Sequence, residues 1–292
     1  MSTPFELIAH LLDLEALAAR PPFVVWSGKP PKPRWRYYAY AAAAGKVWLA
    51  KIGPPDDPRL ANEHAALRAA GAALAGTALA GSLPADAQYR EGCLIQEWLA
   101  GVPAIDLILR YRRWSVARPR LEALCLRIVE WLATFHRAAR GEADGAAGIG
   151  RIHGDFAPSN VLIDPRGGLH IVDWELSDPA ETQIFDLFHF LTFLTLSCGG
   201  ADRRESFRRG FLTPTWLSAI VRRCFGHYHD LLGDSAVGRG DAGGALRGAY
   251  ERYLAFILAR RADLGLANEG HYGRDLDEAL TRWPGVPYVF AG

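Results

Sequence analysis

Apolar residues at positions 5, 7, 8, 11, 12 and 14 follow the spacing of one helical face and predict a helix over residues 4–20, stopped by Pro21 and Pro22. Three strand-like runs follow at 23–26, 35–40 and 47–52. The first two are joined by Ser27-Gly-Lys-Pro-Pro-Lys-Pro33, the last two by an alanine-rich turn ending in Gly45-Lys46. Residues 59–76 are rich in alanine and leucine and predict a helix. Residues 93–99 (CLIQEWL) predict a further strand, broken by Ala100-Gly-Val-Pro103.

Beyond Pro103 the pattern changes from strands to helices. Residues 120–140 form a long amphipathic helix, and after a compact motif region at 151–175 most of the remainder to about 280 alternates helical segments with Gly- and Asp-rich loops. The change predicts two domains, a strand-rich one over 1–98, preceded by the helix at 4–20, and a helical one over 99–292. The longest apolar run, 184–198, contains Asp186 and His189 and spans 15 residues; it reads as a buried helix and not as a membrane span.

The segment Arg-Ile-His153-Gly154-Asp155-Phe-Ala-Pro158-Ser-Asn160 interrupts this pattern with chemistry. Pro158 makes it a loop. Short strands at 161–163 and 169–172, joined by Asp164-Pro-Arg-Gly-Gly168, predict a hairpin, followed by Asp173-Trp174-Glu175. Such a hairpin would return Asn160 and Asp173 to one edge. Their side-chain oxygens are hard ligands suited to Mg²⁺ on a nucleotide's phosphates, and Asp155 would then be placed to orient a hydroxyl.

H-G-D-x-x-x-x-N followed by D-W-E resembles the aminoglycoside phosphotransferase and choline kinase group, whose fold is similar to that of protein kinases. The resemblance implies an α+β fold of two lobes, a small mainly-β lobe with one helix and a larger, mainly helical one. It implies that Asp155 is the catalytic base or substrate-orienting residue, that Asn160 and Asp173 hold Mg²⁺, and that His153 braces the catalytic loop. Lys51, between apolar strand residues, would meet the α- and β-phosphates while paired with Glu63, twelve residues on in a helix. Lys51 stands out because the chain has four lysines, at 29, 32, 46 and 51, against 29 arginines. Backbone groups near Glu97 and Leu99 would meet the adenine. Asp186 is expected to open a buried helix and support the catalytic loop, with an N-cap as the simpler role.

The pattern departs from protein kinases at two places. No G-x-G-x-x-G joins the first two strands, so phosphate gripping would rest on Ser27, Gly28 and Lys29, among prolines that donate no N–H, or on the charge of that loop. Gly154 stands where protein kinases carry an arginine, and Asp186 follows only 13 positions after Asp173. Both point to a small-molecule acceptor in place of a protein.

Composition narrows the class. The 292 residues are 50% hydrophobic and 22% charged, with a net charge of +1, which excludes a disordered chain and argues against nucleic acid as a partner. Four cysteines, at 93, 125, 198 and 224, show no metal-ligand spacing and read as reduced thiols of a cytoplasmic protein. Acidic residues within the N-terminal apolar pattern argue against a signal peptide. Arginines cluster at 110, 112, 113, 118 and 120, and again at 203, 204, 208 and 209. They read either as solvated helix faces or as a surface for an anionic partner.

The expected activity is ATP- and Mg²⁺-dependent phosphorylation of a hydroxyl on a small, saccharide-like molecule, with GTP as the alternative donor. Two other readings stay open from sequence: a nucleotide-binding module without catalysis, and an aminoglycoside antibiotic kinase.

Overall fold

The structure is a computed structural model that describes residues 24–27, 36–41, 47–54, 57–90, 92–140, 149–200, 202–233, 242–263, 271–283 and 285–290. The helix expected at 4–20 and the expected phosphate contact Gly28 lie outside the described residues. The chain divides into two compact units. The first is Met1–Val102 with His153–Asp155 and Leu162–Pro179; the second is Pro103–Ile152 with Phe156–Val161 and Ala180–Gly292.

The first unit is built on one antiparallel sheet. Strands β1 (Val24–Ser27), β2 (Arg36–Ala41) and β3 (Val47–Ile52) form a meander. Helix α1 (Pro58–Leu74) follows, then β4 (Gln88–Arg90) and β5 (Cys93–Glu97), giving the order β1-β2-β3-β5-β4. In the β3–β5 ladder Lys51 lies opposite Leu94 and Leu49 opposite Gln96. Directly opposed residues share a face, so these four line one side of the sheet.

Helix α1 covers that side. Asp57 accepts the Arg59 N–H at its start and Pro58 presets the first turn. Its buried positions, Leu60, Glu63, Ala66, Leu67, Ala70 and Leu74, form a helical stripe, and Leu60 packs with Leu94 of the sheet. Glu63 is thus a carboxylate at an apolar position of the stripe. Among the described residues the helix expected at 59–76 and the expected strands are present; β4 was not foreseen, because three residues are too few to show a period.

The expected hairpin forms, from Val161–Ile163 and Leu169–Ile171. Asp164 builds its turn by accepting the N–H groups of Arg166 at 2.7 Å and Gly168 at 2.8 Å, and Gly167 supplies the positive φ of 87°. The Ile171 N–H is donated to the Ser82 carbonyl, which fastens the returning strand to the loop after α1.

The second unit is helical: α2 (Ala104–Tyr111), α3 (Arg118–Ala139), α4 (Ile184–Gly199), α5 (Arg203–Phe207), α6 (Trp216–Leu232), α7 (Ala242–Asp263) and α8 (His271–Thr281). Helix α4 is the apolar run of the sequence and is buried at every position from Phe185 to Leu191. Phe188 packs against Phe225 of α6 and Tyr250 and Tyr253 of α7, with ring centroids 5.0–5.8 Å apart. Among the described residues no single helix is long and apolar enough to cross a membrane. All four cysteines are free thiols, three of them buried and Cys198 partly exposed.

Asp186 opens α4 but does not cap it. It sits inside the first turn, its N–H donated to the Gln183 carbonyl, and no side-chain cap bond is made at this end. Its carboxylate lies 3.2 Å from Nε2 of His136 on α3, whose Nδ1 is 2.7 Å from the Tyr228 hydroxyl on α6. Burial lowers the His136 pKa, opposed by Asp186, so the imidazole is a neutral bridge between three helices.

Candidate active site in the first unit

Three groups from three elements meet on the covered side of the sheet. Lys51 Nζ of β3 donates to both oxygens of Glu63 on α1, at 2.6 and 2.9 Å, and to Oδ1 of Asp173, after the hairpin, at 2.8 Å. Lys51 is 4% exposed and Glu63 fully buried, whereas the Asp173 side chain is 35% exposed. All three protons of the ammonium are engaged.

The electrostatics favour a permanent positive charge. Burial works to lower the Lys51 pKa, but Asp173, then Glu63 and Glu175, more than offset it and hold the pKa well above the ordinary lysine range. One carboxylate oxygen from each of Glu63, Asp173 and Glu175 falls within a 4.8 Å cluster. Glu63 has both oxygens on Lys51, so Asp173, the most exposed of the three, is the member best suited to offer hard oxygen to a divalent cation.

The backbone around Asp173 is unusual. It adopts φ 70° and ψ 57°, a left-handed conformation tolerated by aspartate better than by most residues. The turn Trp174–Leu176 follows, and Asn62, next to Glu63 on α1, donates to the Glu175 carbonyl at 2.8 Å and the Ser177 carbonyl at 3.0 Å. One helix therefore holds both the lysine and the turn beyond Asp173. Sequence reasoning missed Asn62; its only signal was a polar residue next to Glu63.

Asp155 is joined to this group through His153. The Asp155 N–H is donated to His153 Nδ1 at 3.2 Å, so Nε2 carries the ring proton and donates to the Val172 carbonyl at 3.0 Å. The fully buried imidazole also packs on Trp174, with ring centroids 4.6 Å apart. His153 thereby ties the Asp155 backbone to the Val172 carbonyl. Gly154 between them has φ 82°, and a Cβ there would fall on the Leu176 carbonyl, so only glycine fits.

Asn160 ends the short turn Pro158–Asn160 and is buried; it belongs to the second unit and Asp173 to the first. At the end of β5 the Glu97 N–H is donated to Ala85 and the Trp98 N–H to the Val47 carbonyl. Half-buried Leu99 makes no backbone hydrogen bond with another described residue. Gln96, just before them, is 1% exposed, and its Oε1 finds no hydrogen-bond partner among the described residues. It shares the sheet face of Lys51 and was not singled out from sequence.

No family model and no curated protein matches this sequence. Among solved structures, a thermostable mutant of an aminoglycoside phosphotransferase in ternary complex with ADP and hygromycin B is similar at 12% identity and a TM-score of 0.50, over 97% of this chain and 100% of that one. A glucosamine kinase is similar at 16% identity and a TM-score of 0.48, over 96% of this chain and 80% of that one. A macrolide 2′-phosphotransferase from Brachybacterium faecium gives 15% and 0.44, over 93% and 98%. The likeness to the aminoglycoside phosphotransferase structure is one of fold, in agreement with the resemblance carried by the sequence motifs.

Proposed function

We propose that this protein is a small-molecule kinase that transfers the γ-phosphoryl group of ATP, with Mg²⁺, to a hydroxyl of a sugar or saccharide-related metabolite. The observation that carries this reading is the buried lysine held by Glu63 and Asp173, on a fold shared with phosphotransferases. A permanently charged ammonium suits the α- and β-phosphates, and the partly exposed Asp173 is the partner it would release to them. Asn160 and Asp173 would hold the metal, which neutralises charge on the transferring group. The purine would meet the backbone at Glu97 and Leu99, and Gly28 would help to grip the phosphates. Asp155 would align the acceptor hydroxyl and take its proton as the new O–P bond forms and the bond to ADP breaks. The four free thiols suit a cytoplasmic enzyme.

The test is ADP release with a panel of sugars, amino sugars and aminoglycosides, with product mass read for one added phosphate. Turnover abolished in Asp155→Asn, with the Mg·ATP thermal shift retained, supports the proposal; undiminished turnover in that variant overturns the role of Asp155. The region after Asp186 carries 11 acidic and 13 basic residues, a balance that does not favour a polycationic antibiotic. A non-catalytic nucleotide-binding module is the second reading, favoured by the prolines at 30, 31 and 33. A thermal shift with Mg·ATP and no phosphoryl transfer to any acceptor decides for it.

A further inference from the structure

Trp114 and Val116 protrude between α2 and α3, 66% and 87% exposed, the two most exposed large apolar side chains among the described residues. They ride on the short turn Ser115–Ala117. Arg110, Arg113, Arg118 and Arg120 surround them, all exposed, and residues 107–121 contain no acidic residue. None of these four arginines forms an ion pair with a described residue. Glu122, the next carboxylate, is engaged by Arg223 at 2.7 Å, and Asp106 lies one turn before Arg110.

The loop is built rather than loose. Arg112 donates to the Ser197 carbonyl at the end of α4. The Ala117 N–H closes on the Trp114 carbonyl at 3.0 Å. The Arg118 guanidinium is stacked over Trp216, 4.7 Å from the ring centroid. A protruding indole and valine are thereby held in place, with cations on both sides.

Two features must be explained together. Cations without counter-charge suit any polyanion, but a polyanion in water gives no reason to expose Val116. Phosphorylated sugars or free phosphate would engage the guanidinium groups and leave both apolar side chains wet. An anionic bilayer meets both features, because indole rings settle at the headgroup level and arginines bind lipid phosphates. The net charge of +1 places the attraction in this patch and not in the protein as a whole.

We infer that the loop around Trp114 docks the protein peripherally on a membrane surface rich in anionic phospholipid. This goes beyond the proposed kinase activity and does not rest on it. The contact needs no membrane span, and it would hold the protein where lipid-borne or membrane-proximal molecules are found.

The test is sedimentation of the full chain with phosphatidylcholine vesicles and with mixed phosphatidylcholine–phosphatidylglycerol vesicles. Binding only to the mixed vesicles, weakened by salt, is expected. Each arginine near an anionic surface contributes about fivefold in partition, so Arg113→Glu with Arg120→Glu should weaken binding by at least ~25-fold. Trp114→Ser should also release the protein from mixed vesicles while leaving retention on heparin unchanged, a split that a generic polyanion site would not give. The positions are exposed, and an unaltered circular dichroism spectrum checks the fold of each variant. Absence of wild-type binding to mixed vesicles, equal binding to neutral ones, or a Trp114→Ser variant that binds mixed vesicles like the wild type overturns the inference. Tighter retention on duplex DNA than on mixed vesicles assigns the patch to nucleic acid and overturns it also.

Discussion

Lys51 Nζ lies 2.6 and 2.9 Å from the two carboxylate oxygens of Glu63, so one ammonium ties strand β3 to helix α1 in the interior of the first unit. Both groups are buried and the contact is two-toothed, which makes each the condition for the other's charge.

Removing one partner should therefore cost more than removing both. Lys51→Met leaves Glu63 buried and charged, a loss on the order of 3–5 kcal/mol. The double variant Lys51→Met with Glu63→Gln should recover much of that stability while staying inactive. Urea denaturation midpoints of the two single variants and the double variant measure the coupling. Equal midpoints for Lys51→Met and the double variant would count against it.

Asn62→Ala removes two hydrogen bonds to the turn after Asp173, at the carbonyls of Glu175 and Ser177. A loss of about 1–3 kcal/mol is expected, along with a lower kcat, because Asp173 loses the support of its turn. Thermal unfolding and steady-state rates on the same preparation check this, and Asn62→Asp, which lacks the donors, should not rescue either.

Gly154→Ala should be among the most damaging single-methyl additions in the chain. Its φ of 82° and the Leu176 carbonyl leave no room for a Cβ, and the left-handed backbone alone costs roughly 1–2 kcal/mol. A melting temperature within a degree or two of wild type would overturn this expectation.

Gln96 carries a buried oxygen without a hydrogen-bond partner among the described residues, on the Lys51 face of the sheet. Gln96→Leu should leave the free protein as stable or slightly more stable, since an unsatisfied polar atom costs about 1–3 kcal/mol. If the oxygen meets the purine, the same change raises KM for nucleotide and alters the ratio of ATP to GTP use. Paired denaturation and nucleotide kinetics separate the two effects.

Stability should fall in mild acid through His136. Burial lowers its folded pKa, with Asp186 opposing, whereas in the unfolded chain it titrates near the ordinary value of about 6.5. The unfolded state then binds more protons, so stability declines as pH drops below about 6.5 and levels off below the folded pKa. His136→Gln should have a flatter profile over that window. Lys51 has the opposite sense: its raised pKa means that its contribution is complete below the unfolded lysine pKa of about 10.4 and is lost only when the pH rises through the still higher folded value.

Much of this was present in the order of residues. The meander, the covering helix and the hairpin follow from runs of apolar residues and from turn chemistry such as Asp164 and Gly167, which are local effects. The H-G-D-x-x-x-x-N and D-W-E motifs, with Lys51 and Glu63, singled out the candidate side chains, of which the structure brings Lys51, Glu63 and Asp173 together. Asp186 was placed in the first turn of a buried helix, but its contact with His136 could not be read from the order of residues, because 50 positions separate the two.

What the chain order determined by itself was which side chains carry charge and which segments are strand or helix, because period and turn preference act between near neighbours. Only the tertiary structure decided that Glu63 is wholly buried on an apolar stripe, that Asp173 shares the lysine's protons across 122 residues, and that Asn62, His153 and Gln96 surround them. Those contacts depend on strand register and on how a helix lies over a sheet, and neither leaves a mark in the spacing of residues along the chain.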